Sequence, residues 1–243
     1  MNAKKLICMI PARFGSRRFP GKPLALLKGK PIIEHVVKRA KMAQIFDEIA
    51  VISDNEEILT KSKDAGALAV LVKEECKSGT DRIFKALPFV KGDLIVNLQG
   101  DEPAIDLDLI RSISRKLKID PAEDTIITSA TPFKSWQEFQ DENNVKVVTD
   151  AKGNALYFSR SPIPNQAECN LPKEALLHIG LYAMTRKTLE RFASLPFGRL
   201  EKLERLEQLR ALEYGIAIKV LLAPSRSIGV DMLDDLIMLE TTL

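Results

Sequence analysis

With 243 residues, 45% hydrophobic and 28% charged, the chain has the size and make-up of one sizeable α/β domain, or of one domain with an appended lobe, which excludes extensive disorder. A net charge of +3 without a Lys/Arg run of five residues gives no nucleic-acid footprint. No stretch approaches the about 20 apolar residues that a membrane helix needs, so neither nucleic acid nor membrane is an expected partner.

The elements follow in chain order. Lys4 and Lys5 ahead of an apolar run faintly resemble a signal peptide. That run is short, contains Pro11 and meets Arg13, Arg17 and Arg18 without a good cleavage site, so a buried strand over 6–10 is expected instead. A Gly/Pro/Arg-rich loop covers 12–23. A helix over 31–43 opens with Pro31 at its first turn. A second strand spans 49–52. Asp54 or Asn55 can cap the next helix, which stops at Gly66. Strands over 68–72 and 94–98 bracket a capped helix over 78–87. A helix over 107–117 and a strand over 125–130 complete the alternation. This βαβα order predicts a mostly parallel, helix-covered sheet, with ligands at the carboxyl ends of its strands.

The second half changes character. Strands over 145–149 and 155–158 flank a hairpin signal at 150–154. Pro162 and Pro164 break the pattern. A strand over 178–184, a charged helix over 199–214 closed by Gly215, a strand over 216–222 and a helix over 232–239 follow. The expected organisation is one domain over 1–243, with 145–185 as an antiparallel insertion. Trp136 and the phenylalanines are expected in the core.

Three cysteines, Cys8, Cys76 and Cys169, show neither CxxC spacing nor an even count. They predict no disulfide framework and no zinc site, but buried or incidental thiols in a reducing, cytoplasmic setting.

Three segments carry chemistry. In IPARFGSRRFPGKPL, Arg13, Arg17, Arg18 and Lys22 share one loop with Gly15 and Gly21. Guanidinium forks and backbone N–H groups exposed by glycine suit phosphate oxygens. Five residues separate Gly15 from Gly21, where a Walker A loop has four, and Pro23 stands in place of its Ser/Thr. In NLQGDEP, Asp101 and Glu102 end a strand, where Mg²⁺ takes one or two carboxylates with phosphate oxygens and water. In GVD, Asp231 can reach the same metal or simply cap the last helix, and Asp234 and Asp235 read as first-turn acids. SGTDR enters a helix: Ser78 caps it, while its N–H groups and Arg82 can meet a base or a phosphate. His178 and His35, the two histidines, are by themselves more naturally structural.

Together with NNVKVVTDAKGNALYFSRSPIP, HIGLYA, LERLEQLRALEYG and GVDMLDDL, these segments resemble the CMP-KDO synthetase (3-deoxy-manno-octulosonate cytidylyltransferase) family from Ile10 to Leu236. The resemblance implies a nucleotide-diphospho-sugar-transferase-like fold and a homodimer formed largely through the insertion. It implies CTP at Arg13, Ser16, Lys22, Ser78, Gly79 and Arg82, and Mg²⁺ on Asp101 and Asp231. It implies a 3-deoxy-octulosonic acid at Gln99, Arg160, His178, Glu207 and Gln208. The sugar hydroxyl would attack the α-phosphorus, with Lys22 and Arg13 offsetting charge. Phe19 stands where the family usually has Leu, Met232-Leu233-Asp234 where it has Thr-Pro-Glu, and 165–177 is shorter than in many members. Rival expectations are a cytidylyltransferase for an 8-amino-octulosonate or a sialic acid, and a non-catalytic nucleotide-binding regulator.

Overall fold

In the computed structural model, residues 4–15, 19–165, 171, 174–223, 229–230 and 232–242 are described. Strand β1 (Leu6–Ala12) is buried along its whole length, as the uninterrupted apolar run requires of a strand covered on both faces. Its alternate side chains feed two layers. Leu6, Cys8 and Ile10 join a core with α1 (Ile32–Met42) and α4 (Leu107–Ile119), while Ile7 and Met9 join another with α3 (Gly79–Ala86) and α6 (Arg186–Ser194). Each large apolar side chain so buried is worth about 1.5–3 kcal/mol.

Between them run a small hairpin, β2 (Leu26–Leu27) and β3 (Lys30–Pro31), then β4 (Glu48–Ser53), α2 (Glu56–Asp64), β5 (Leu68–Leu71) and β6 (Leu94–Asn97). After α4 come β7 (Thr125–Pro132), α5 (Trp136–Gln140), β8 (Lys146–Thr149), β9 (Ala155–Ser159) and β10 (Leu176–Thr185). The chain closes with α6, α7 (Arg199–Glu204), α8 (Gln208–Glu213), β11 (Ala217–Leu222) and α9 (Leu233–Thr242).

The main sheet has the order β11-β7-β10-β6-β1-β4-β5. β1 pairs in parallel with β4 and β6, β4 with β5, and β7 with β11. β10 is antiparallel to both neighbours, β6 and β7. The expected α/β architecture, a mostly parallel helix-covered sheet with an antiparallel part, is therefore the one observed.

Several local expectations need correction. The segment 145–185 is not a separate insertion throughout: the β8–β9 hairpin projects from the sheet, but β10 enters the middle of it. Only Leu176 and Leu177 pair with β8. The helix expected over 199–214 is two helices, because Arg205 turns into the left-handed region at φ 55. Pro31 is the N-cap of α1 rather than its first helical residue. Helices α5 and α6 were not expected. Phe139, Phe158 and Phe192 are buried, but Phe14, Phe89 and Phe197 are exposed and Trp136 is half-buried, its ring tilted on Phe139. Asn55, not Asp54, caps α2, accepting from the N–H groups of Glu57 and Ile58. Cys8 and Cys76 are free thiols, and Cys169 lies outside the described residues. Among the described residues, no helix is long and apolar enough to cross a membrane.

Candidate active site

The loops after β1, β4 and β6 and the start of α3 meet at the carboxyl edge of the sheet. Asp54, left over from the capping of α2, ties them together. Its carboxylate accepts from the Phe14 N–H at 3.3 Å and from Arg82 Nη2 at 2.9 Å. Gly100 packs so closely on β1 that a Cβ there would stand 2.8 Å from the Pro11 carbonyl oxygen. Gly21 takes φ 72 and turns the basic loop so that its N–H reaches the Phe14 carbonyl at 3.0 Å.

Two cavities open at this edge. The smaller, about 420 Å³, is lined by Arg13, Lys22, Ser78, Gly79 and Arg82 among others. The larger, about 1020 Å³, is lined by His178, Glu207 and Gln208, with Lys134, Asn143 and Tyr182. Gly79, Gln99 and Asp101 line both.

At the junction, Lys22 Nζ donates to Asp101 Oδ2 at 2.6 Å and to the Val230 carbonyl at 2.7 Å. The Val230 N–H in turn donates to the Asp101 carbonyl at 2.8 Å. This joins the basic loop, the β6 edge and the segment before α9. The ammonium expected on phosphate and the carboxylate expected on metal are thus in contact here. Asp231 follows Val230 in sequence but lies outside the described residues, as does Ser16.

The start of α3 is a capped helix N-terminus facing the smaller cavity. Ser78 Oγ accepts from the Asp81 N–H at 3.1 Å, and Asp81 Oδ2 accepts from the Lys77 N–H at 2.9 Å. Such an end favours an anion. Arg82 lines the cavity with a guanidinium already committed to the Val72 carbonyl at 3.0 Å and to Asp54. Arg13 is exposed on the cavity wall.

In the larger cavity, Glu207 is held by the hydroxyls of Ser78 and Thr80, and burial pushes its carboxyl up from the usual carboxylate range. His178, pushed down to about 3 by burial, is neutral at physiological pH. Thr128 Oγ1 lies 3.0 Å from His178 Nε2 and 2.9 Å from the Leu181 carbonyl. A carbonyl can only accept, so the threonine proton goes to Leu181 and the imidazole Nε2–H donates to Thr128. The Nδ1 atom is then the acceptor of the ring. His35 is structural, with Nε2 2.7 Å from the Leu27 carbonyl.

Arg160 is not brought to this wall. Its Nε donates to the Glu204 carbonyl at 3.1 Å and its Nη1 to the Glu142 carbonyl at 3.0 Å, pinning the end of β9 to α7. Among the described residues lining the larger cavity, Lys134 alone carries a positive charge. Sequence reasoning missed Lys134 and Tyr182. Tyr182 lies within the HIGLYA segment and NNVKVV begins at the cavity-lining Asn143 and Asn144, but neither motif includes Lys134.

The cytidylyltransferase family model matches residues 7–219. The chain is 42% identical over 242 residues to the 3-deoxy-manno-octulosonate cytidylyltransferase of Desulfatibacillum aliphaticivorans, covering 98% of each. It is 44% identical over 238 residues to the 8-amino-3,8-dideoxy-manno-octulosonate cytidylyltransferase of Shewanella halifaxensis, covering 97% of each. The solved structure of CMP:2-keto-3-deoxy-manno-octonic acid synthetase complexed with CTP superposes with a TM-score of 0.91 at 35% identity, covering 98% of each chain. A basic loop and a capped helix end on one side of Asp101, a large polar cavity on the other and this likeness along nearly the whole chain lead to one assignment: the protein belongs to the cytidylyltransferase family, among the octulosonate-activating members known as CMP-KDO synthetases.

Proposed function

We propose that this protein transfers CMP from CTP to the anomeric hydroxyl of 3-deoxy-manno-octulosonate and releases pyrophosphate, forming the CMP-KDO used in lipopolysaccharide biosynthesis. The observation that carries the reading is the meeting of two cavities at Asp101, Gln99 and Gly79. The smaller offers what a triphosphate needs: the α3 N-terminus, Lys22 and Arg13. The larger offers polar groups for a polyhydroxy acid, with Lys134 as a cation on its wall for the carboxylate.

The chemistry in this reading is mostly positioning and charge balance. The sugar oxygen bonds to the α-phosphorus as the bond to the β,γ-diphosphate breaks, and the hydroxyl proton passes to solvent. Lys22 and Arg13 balance charge on the departing pyrophosphate. His178 accepts through Nδ1 and Glu207 through its carboxylate, orienting sugar hydroxyls. The Asp101 carboxylate, open to both cavities, matches the one- or two-carboxylate pattern of a Mg²⁺ site, with Asp231 as the second carboxylate implied by the resemblance. When bound, Mg²⁺ supplies Lewis acidity and neutralises phosphate charge. The free thiols support a cytoplasmic setting, and Leu156 of β9, 62% exposed, offers apolar surface for a homodimer built on the hairpin.

A second reading, an 8-amino-octulosonate as acceptor, rests on the relative from Shewanella halifaxensis. Pyrophosphate release with CTP, Mg²⁺ and each sugar acid in turn tests both. Magnesium-dependent release with 3-deoxy-manno-octulosonate, faster than with the 8-amino acid, is expected. The reverse order selects the second reading. CTP binding without release from any octulosonic or sialic acid would instead indicate a regulator.

A further inference from the structure

A chain of hydrogen bonds with a buried middle runs through the junction of the two cavities. Gln99 Nε2 donates to Asn97 Oδ1 at 3.3 Å, and Asn97 Nδ2 donates to Thr80 Oγ1 at 3.4 Å. Thr80 and Ser78 then hydrogen-bond the Glu207 carboxylate through their hydroxyls, while Ser78 Oγ also caps α3 by accepting from Asp81. Asn97 is 2% exposed and Thr80 6%, so water cannot replace these partners at low cost.

The chain has a single direction. The hydrogen bonds of Ser78 and Thr80 each favour the charged form of Glu207, which hydroxyls do by donating, so both hydroxyls donate to its carboxylate. Thr80 must then accept from the Asn97 amide, and Asn97 must present its oxygen to Gln99. The Gln99 amide is thereby fixed, with Nε2 on Asn97 and Oε1 next to Gly79. One end of the chain lies at Ser78 in the smaller cavity, and Glu207 and Thr80 face the larger.

We infer that the Gln99–Asn97–Thr80–Glu207–Ser78 chain couples the two cavities, with Asn97 and Thr80 as positioning residues, so that the sugar acid and the nucleotide each strengthen binding of the other. The inference rests on the octulosonate-cytidylyltransferase reading. A sugar acid that engages Glu207 or Gln99 acts on the same carboxylate and amide that orient Ser78 and the α3 N-terminus. Energetic coupling between sites is reciprocal, and a factor of about five or more is ordinary for directly linked ones.

The test is equilibrium binding of a non-hydrolysable CTP analogue with Mg²⁺, with and without saturating 3-deoxy-manno-octulosonate, in wild type, Thr80→Val and Thr80→Ser. The expected result is at least about five-fold tighter nucleotide binding with sugar in wild type, a factor near one in T80V, and recovery in T80S. A pH profile gives a second readout. Loss of one donor raises the Glu207 carboxyl further, so the acid limb of kcat/KM for the sugar moves to higher pH in T80V and returns in T80S. The other groups facing Glu207 are Arg210 on its own helix, Glu201 on α7 and Tyr182 on β10, and none of them is altered. If T80V does not fold, Asn97→Asp takes its place: it keeps an acceptor for Gln99 but redirects the Thr80 proton away from Glu207. Undiminished coupling in the folded variant, or no coupling in a wild type that turns over normally, overturns the inference. A wild type that releases no pyrophosphate with any octulosonic acid overturns the functional reading instead.

Discussion

Asp101 and His178 show how one residue's role is set by its neighbours. Asp101 holds Lys22 at 2.6 Å and lines both cavities, so exchange for Asn removes a charge from the junction while keeping its shape. In Asp101→Asn, kcat is expected to fall by about 10²-fold or more, comparable to losing a key charge-stabilising group, with an unchanged circular dichroism spectrum. Near-wild-type turnover would remove Asp101 from the reacting centre. His178 makes a different prediction. Its folded pKa, about 3, lies below the ordinary value of 6.5, so the unfolded chain binds the extra proton between those values. The stabilisation is present above pH 6.5 and declines as pH falls towards 3, by at most about 1.4 kcal/mol per pH unit. Urea midpoints at pH 7.5 and 5.5 should therefore differ more in wild type than in His178→Gln. Equal differences in both would show that His178 does not titrate this way.

Among the elements, α7 and α8 depend on a contact that no local pattern announces. Arg210 of α8 meets Glu201 of α7 through Nε at 2.7 Å and Nη2 at 2.6 Å, with both residues buried. The guanidinium also lies over the Phe192 ring, 4.8 Å from its centroid. Removing one partner strands the other charge, at about 3–5 kcal/mol. Arg210→Met should lower the urea midpoint sharply, and the double variant R210M/E201L should recover much of the loss. The kink at Arg205 that separates the two helices places Glu207 and Gln208 on the larger cavity. The charged periodicity of 199–214 reads as one helix because the break comes from an ordinary arginine in the left-handed region, without a Gly or Pro to mark it. The breaks at Gly66 and Gly215, by contrast, are legible, since both glycines take positive φ where a helix ends.

For the whole molecule, the site is a meeting of distant segments, so its occupancy should report on global stability. A ligand at about 100 times its Kd stabilises by about 2.7 kcal/mol, which for a chain of this size is a rise in Tm of roughly 5–10 °C. CTP with Mg²⁺ should produce such a shift by differential scanning calorimetry. A shift that survives EDTA unchanged would separate nucleotide binding from the metal.

Hydrophobic runs and punctuation determined the α/β class, most strand positions, a cap for α2 at Asp54 or Asn55, the cap at Ser78, and the three polar segments that line the junction. These are legible because burial on two faces demands continuous apolar strands, and because turns and caps need particular side chains. Tertiary structure alone decided that β10 runs antiparallel through the middle of the sheet, which brings His178 beside Thr128. It also decided that Lys22 pairs with Asp101 across 79 positions, that Arg82 is spent on Asp54 and Val72, and that Arg160 anchors β9 rather than lining the cavity. Periodicity describes which face of an element is buried; it carries no information about which partner a long charged side chain finds once distant loops share one sheet edge.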